Sequence, residues 1–138
     1  MQAVVTWRHR ATLGAVAVAL IVAGLVWRLV PFGLPAFWLR NGGGVLWGAM
    51  LFIIVAALRP VRAGLVACFL TTSFIAIGSE FFRLYHMPWL DAFRQTLAGA
   101  LLIGRVFLIG NMVAYELGIA VAAGLYVAWR LETRSNAG

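Results

Sequence analysis

The chain has 138 residues, 64% of them hydrophobic and 11% charged, with a formal net charge of +7 and a mean hydropathy of +0.97. An ordinary soluble domain carries about 25% charged residues, so a chain this apolar belongs in lipid, and its length amounts to one domain. All eleven basic residues are arginine; scattered between apolar runs, they form no basic stripe on a soluble face, which excludes nucleic acid as a partner.

A bilayer core of about 30 Å needs about 20 mostly apolar residues per helix, and the chain supplies four such spans with little left over for a water-soluble domain. The expected fold is therefore all-α, a single transmembrane domain over residues 1–138 with spans at about 11–30, 44–58, 63–82 and 106–129. Span one, ATLGAVAVALIVAGLVWRLV, follows Arg8, His9 and Arg10. Its length, and the Trp27–Arg28 pair where a cleavage site would need small residues, mark it as a retained anchor and not a signal peptide.

The stretch FGLPAFWLRNGGG at 32–44 reads as an interfacial connection, because it combines proline, aromatics, Arg40 and a glycine triplet. Span two then runs from Gly44 to Leu58, and Arg59, Pro60 and Arg62 make a basic turn into span three. After span three comes TLAGALLIG at 96–104, too short to cross and read as an interfacial or re-entrant segment. Arg105 ends it, span four follows, and the tail is polar.

Small residues must drive helix packing in lipid, where apolar contact carries no reward of its own. Gly110, Ala114, Gly118 and Ala122 recur every four residues in span four, and Ala11, Ala15, Ala19 and Ala23 do the same in span one. The two stripes are expected to face each other. With four crossings both termini share a side. Arg8, Arg10, Arg59, Arg62, Arg130 and Arg134 fall on it against Arg28, Arg40, Arg83, Arg94 and Arg105 opposite, so both termini are expected in the cytoplasm.

The chemistry-bearing residues gather in SEFFRLYHMPWLDAFRQT, residues 79–96. EFFR and DAFR each place an acid three residues before an arginine, a spacing at which helical neighbours pair, and pairing lowers the cost of charge near lipid. Pro88 forbids a continuous helix through His86 to Leu90 and implies a reversal. That reversal would fold Glu80, Arg83, His86, Asp91 and Arg94, with Arg105, around a shallow polar chamber near the outer surface. In span four Asn111, Tyr115 and Gly118 share one face, turned towards other helices. Glu116 lies around the helix from Asn111 and needs a partner of its own, for which Arg28 and Arg105 are candidates. The expected ligand-binding set is thus Glu80, Arg83, His86, Asp91, Arg94, Arg105, Asn111 and Tyr115.

The sequence lacks GxxxxGK[ST], GxGxxG, HExxH and GxSxG, the parts of nucleotide hydrolysis, dinucleotide chemistry, zinc proteolysis and α/β-hydrolase catalysis. Ser73 and Ser79 have no evident base beside them. Cys68 is alone, so neither an internal disulfide nor a multi-cysteine metal site is open to it. No catalytic residue, metal or cofactor is expected.

Glu80 at the end of an apolar span, then WLDAFRQTLAGALLIGRVF, then Asn111, Tyr115 and Gly118, resembles a family of small bacterial membrane proteins catalogued as a domain of unknown function (2809), itself similar to the VanZ-like group. The resemblance covers residues 30–128 and implies a four-span helical fold in the bacterial inner membrane. Members of that family often carry an acid where this chain has Gly43 and Gly44, a glutamine at Arg83 and an aspartate at Asn111. Relative to that pattern the chain has lost two acids and added an arginine, a change that suits an anion such as the phosphate of a membrane lipid or envelope precursor. The alternative expectation is a small accessory or structural subunit of a larger membrane complex, docking on a membrane-protein partner through its glycine and alanine stripes.

Overall fold

The computed structural model describes residues 2–59, 64–103 and 107–135. Six helices follow in order: α1 (Gln2–Leu29), α2 (Ala36–Leu58), α3 (Leu65–Phe82), α4 (Pro88–Gln95), α5 (Leu97–Leu102) and α6 (Ile109–Ser135). Four of them, α1, α2, α3 and α6, are long and apolar enough to cross a membrane. At 1.5 Å per residue α2 alone extends about 34 Å, more than the hydrocarbon core. The protein is a multi-pass membrane protein.

Span two begins eight residues earlier than the sequence reading placed it. Pro31, Pro35 and Gly33, the last at φ +66, make the connection from α1, because proline cannot continue a helix and the left-handed turn tolerates only glycine well. From Ala36 onward the chain is helical through the glycine triplet. Glycine disfavours a helix by about 1 kcal/mol relative to alanine, but an unpaired backbone in lipid is costlier, since no water is present to satisfy it. The glycines also have packing uses. A Cβ at Gly42 would meet Cζ2 of Trp27 at 2.5 Å, and one at Gly44 would meet Cβ of Ala114 at 2.8 Å.

α2 and α6 form the central pair, with α1 against α2 and α3 against both. The backbones of the central pair approach so closely that a Cβ at Gly48 would overlap the carbonyl oxygen of Tyr115, and one at Gly118 the carbonyl oxygen of Val45. This is the association expected of lipid-embedded helices, close backbone contact through small residues. The buried cluster between the helices comprises Leu13, Phe52, Ile53, Cys68, Ala76, Ile119 and their neighbours. The outward faces carry Val66, Leu70, Phe74, Leu117, Val121 and Leu125, all exposed, as lipid contact requires.

The two alanine and glycine stripes do not meet as expected. Ala11, Ala15, Ala19 and Ala23 are all exposed, and α1 instead turns Leu13 and Ala17 inward. α2 occupies the place beside α6 that the sequence reading gave to α1, because its own glycines allow a closer approach than alanine does. On α6 Ala114, Gly118 and Ala122 are buried, whereas nothing lies within 4 Å of a Cβ at Gly110.

Other boundaries shift as well. Helix α1 starts near the N-terminus, and α6 continues past the expected end at residue 129. The expected first residues of spans three and four, 63 and 106, lie outside the described residues. Segment 96–104 contains the six-residue α5, capped by the Thr96 hydroxyl, which accepts from Gly99 N at 3.0 Å. His9 on α1 stacks on Trp129 of α6 with centroids 4.9 Å apart, so the N-terminal part of α1 and the C-terminal part of α6 share one end of the bundle.

A Gly118→Ala substitution should force the α2 and α6 backbones apart and cost about 1–3 kcal/mol of overpacking. Gly110→Ala, facing open space, should leave the thermal midpoint in detergent unchanged or higher. Equal midpoints for Gly118→Ala and the wild type would contradict the close approach.

Candidate functional site

Glu80 sits in the last turn of α3, at the end of the bundle opposite the termini, and is fully buried at 0% exposure. A carboxylate without water needs protein donors, and each of its oxygens has two. Oε1 accepts from Leu108 N at 2.8 Å and from Asn111 Nδ2 at 3.1 Å. Oε2 accepts from the Tyr115 hydroxyl at 3.1 Å and is ion-paired with Arg83 Nη1 at 2.6 Å.

Arg83, whose side chain is 10% exposed, extends the network beyond the carboxylate. It donates from Nη2 to the Tyr115 hydroxyl at 2.8 Å and from Nε to the Ile103 carbonyl at 2.7 Å. Tyr115 therefore accepts from the arginine while donating to the glutamate, and its ring packs against Trp47 of α2 at 4.7 Å between centroids. Glu80, Arg83, Asn111 and Tyr115 are thus one buried unit joining α3, α6 and the chain that precedes α6.

His86, Asp91 and Arg94 form a second unit beside the first. Pro88 occupies the first turn of α4, where its missing N–H costs nothing, and Asp91 lies in the same turn, favoured by the positive pole of the helix. One turn later Arg94 points under the hairpin and is buried. Its Nη1 donates to the Tyr85 carbonyl at 2.8 Å and to Asp91 Oδ1 at 3.0 Å, and its Nη2 donates to the Phe82 carbonyl at 2.9 Å. The guanidinium therefore bonds two carbonyls at and just beyond the end of α3, that of Phe82 being shared with Tyr85 N, and places a cation at the negative pole of that helix. Asp91 is 41% exposed and the His86 side chain 68% exposed, with Nδ1 3.1 Å from Asp91 Oδ1.

Among the described residues, the expected site residues fall into two adjoining units. Both acid–arginine pairs form at the expected spacing. Arg105 lies outside the described residues. The arrangement consumes donors and acceptors internally, and this makes it a joint between segments: Glu80 accepts from an arginine and three further donors. Among the described residues, no three His, Cys, Asp or Glu side chains stand together as a metal site would require.

Two participants escaped the sequence. The Leu108 N–H and the Ile103 carbonyl are backbone groups, invisible to any reading of side-chain types. Glu116, expected to pair with Arg28 or Arg105, instead accepts from the Ser73 hydroxyl of α3 at 2.8 Å. α3 packs on α6, whereas α1, which carries Arg28, packs on α2. Ser73 therefore does have a carboxylate beside it, contrary to expectation. The signal was present, since Ser73 and Glu116 each interrupt an apolar run near the middle of its span.

A family model described as a protein of unknown function, DUF2809, matches residues 33–119. The chain belongs to the DUF2809 family. No solved structure matches the chain. The DUF2809 segment runs from the start of α2 to the middle of α6 and contains Glu80, all of its partners and the Gly44, Gly48 and Gly118 contacts.

Removing one member of a buried ion pair costs about 3–5 kcal/mol because the other charge is left uncompensated. Glu80→Leu and Arg83→Leu should each destabilise on that scale, and the double variant by clearly less than their sum. Strict additivity in a double-mutant cycle would show that the two side chains are not coupled. Separately, Arg94→Lys should speed hydrogen exchange across residues 88–102, because an ammonium cannot bridge two carbonyls and a carboxylate as the fork does. His86→Ala should leave exchange there unchanged.

Proposed function

We propose that this DUF2809 protein is a non-catalytic membrane protein that engages the phosphate of an anionic lipid or envelope precursor at the end of the bundle opposite its termini. The observation that carries this reading is a charge surplus. At that end Glu80 and Asp91 are matched by Arg83 and Arg94, while Arg28 at the end of α1 and Arg40 near the start of α2 are exposed with no acid beside them. The internal pairs hold the framework, and the two outer arginines supply the recognition.

The surroundings favour a lipid over a soluble anion. Phe82, Tyr85, Met87 and Trp89, exposed along the turn into α4, are the amphipathic and aromatic side chains that settle at a membrane interface. The opposite end carries Arg8, Arg10, Arg59 and Arg130, and by the positive-inside rule it faces the cytoplasm. The engaged lipid is then in the outer leaflet of the inner membrane.

The test is purification of the full chain in mild detergent with quantification of co-purified phospholipid. The Arg28→Gln/Arg40→Gln double variant should lose anionic lipid while keeping the wild-type melting midpoint. Retention of that lipid by the double variant would sink the reading. A stoichiometric protein partner in place of lipid would favour the accessory-subunit role instead.

A further inference from the structure

A cleft lies at the other end of the molecule. Leu65, the first residue of α3, and Tyr126, Val127, Arg130 and Leu131 of α6 line a cleft of about 150 Å³. Its walls are apolar apart from a single cation. The Arg130 guanidinium carbon lies over the Tyr126 ring, 5.2 Å from the centroid. That ring is itself anchored, its hydroxyl 3.2 Å from His9 Nε2, and His9 is stacked on Trp129. The guanidinium is therefore pre-positioned by an aromatic cluster and not swinging on a free stem.

We propose that this cleft holds one anionic phospholipid, its phosphate on Arg130 and the start of an acyl chain against Leu65, Val127 and Leu131. The Arg130 guanidinium makes no hydrogen bond or ion pair with any described residue, although it carries five donors, and only the backbone carbonyl of Arg130 is engaged, by the Thr133 hydroxyl. Of the other described arginines at this end, Arg59 donates to the Thr71 hydroxyl at 2.6 Å and Arg10 to the Arg59 carbonyl at 3.5 Å. Glu132, two residues on, is exposed and forms no ion pair with it.

Position decides the class of ligand. Arg130 lies one turn inside the end of the apolar stretch of α6, which runs to Thr133, so its head group is at the membrane boundary and its stem among acyl chains. A free phosphate would find half of that site apolar, and a peptide would have to reach it through headgroups. A phospholipid presents phosphate and hydrocarbon at the required depths at once. The first turn of α3, which has no side-chain cap, adds a positive helix pole beside Leu65.

The site can be tested in the full chain reconstituted into phosphatidylcholine nanodiscs doped with phosphatidylglycerol, by native mass spectrometry of the lipid retained on release. The wild type should retain phosphatidylglycerol in preference to phosphatidylcholine. Arg130→Gln should lower that preference about fivefold, the equivalent of the ~1 kcal/mol that one juxtamembrane arginine contributes at an anionic surface. Val127→Trp fills the cleft but leaves the guanidinium and its aromatic support in place, and should cause a comparable loss without a change in helicity. The proposal is overturned if both variants retain phosphatidylglycerol as the wild type does, or if the wild type shows no preference. It is equally overturned if the preference depends on Arg28 and Arg40 and not on Arg130, an outcome that would leave only the opposite-end reading standing.

Discussion

A carboxylate removed from water must replace its hydration with donors from the chain, and Glu80 does so with partners drawn from three separate stretches. Arg83 comes from its own helix end, Leu108 from the approach to α6, and Asn111 and Tyr115 from α6 itself. Because lipid gives helices little reason to associate beyond close packing, such a directional requirement fixes the relative height of α3 and α6. It also decides where the short helices go. α4 and α5 pack on each other, and they are tied back to α3 through Arg83 to Ile103 and through Arg94 to Phe82 and Tyr85. These hydrogen bonds, together with the buried Leu90 and Ala100, set the position of that hairpin.

The same four-residue pattern, acid then phenylalanine then arginine, thereby produces two different devices. In EFFR the acid is the buried member, and the arginine lies at the rim of the network. In DAFR the arginine is buried and the acid is partly open to solvent. The difference follows from what each buried group finds nearby. Glu80 faces N–H and O–H donors at the start of α6, whereas Arg94 faces the carbonyls of Phe82 and Tyr85 where α3 ends. Replacing a buried ion pair with well-packed apolar side chains is often neutral or stabilising, so these pairs are better understood as setting the register between segments than as sources of net stability.

What the sequence made legible was whatever depends on composition and on spacing within one helix. Four apolar runs implied four spans, and the i, i+3 acid–arginine spacing implied two ion pairs. The glycine triplet misled because Gly42, Gly43 and Gly44 are weak helix formers in water, whereas in lipid the backbone has no competing partner and the missing side chains become an asset against Trp27 and Ala114. The alanine row of α1 misled for the opposite reason: alanine tolerates close packing without requiring it, and Leu13 and Ala17 face inward instead. Partnerships between helices, such as Ser73 with Glu116, depend on which helices adjoin, and no spacing within a single helix reveals that.

The two ends of the bundle handle charge in opposite ways, and this bears on where function can reside. At the Glu80 end, Glu80 and Asp91 are paired with Arg83 and Arg94 within the DUF2809 segment, so loss of these four acts first on structure. Activity measurements on Glu80 or Arg83 variants would therefore report on folding unless stability were followed at the same time. At the terminal end, His9, Tyr126, Trp129 and Arg130 all lie outside residues 33–119, and the guanidinium there is oriented by rings instead of by an acid. A cation held by aromatic faces keeps its hydrogen-bonding capacity for something else, whereas one held by a carboxylate has largely spent it. The arginines worth interrogating for a ligand are consequently the ones without acidic neighbours, and the sequence alone pointed to the others.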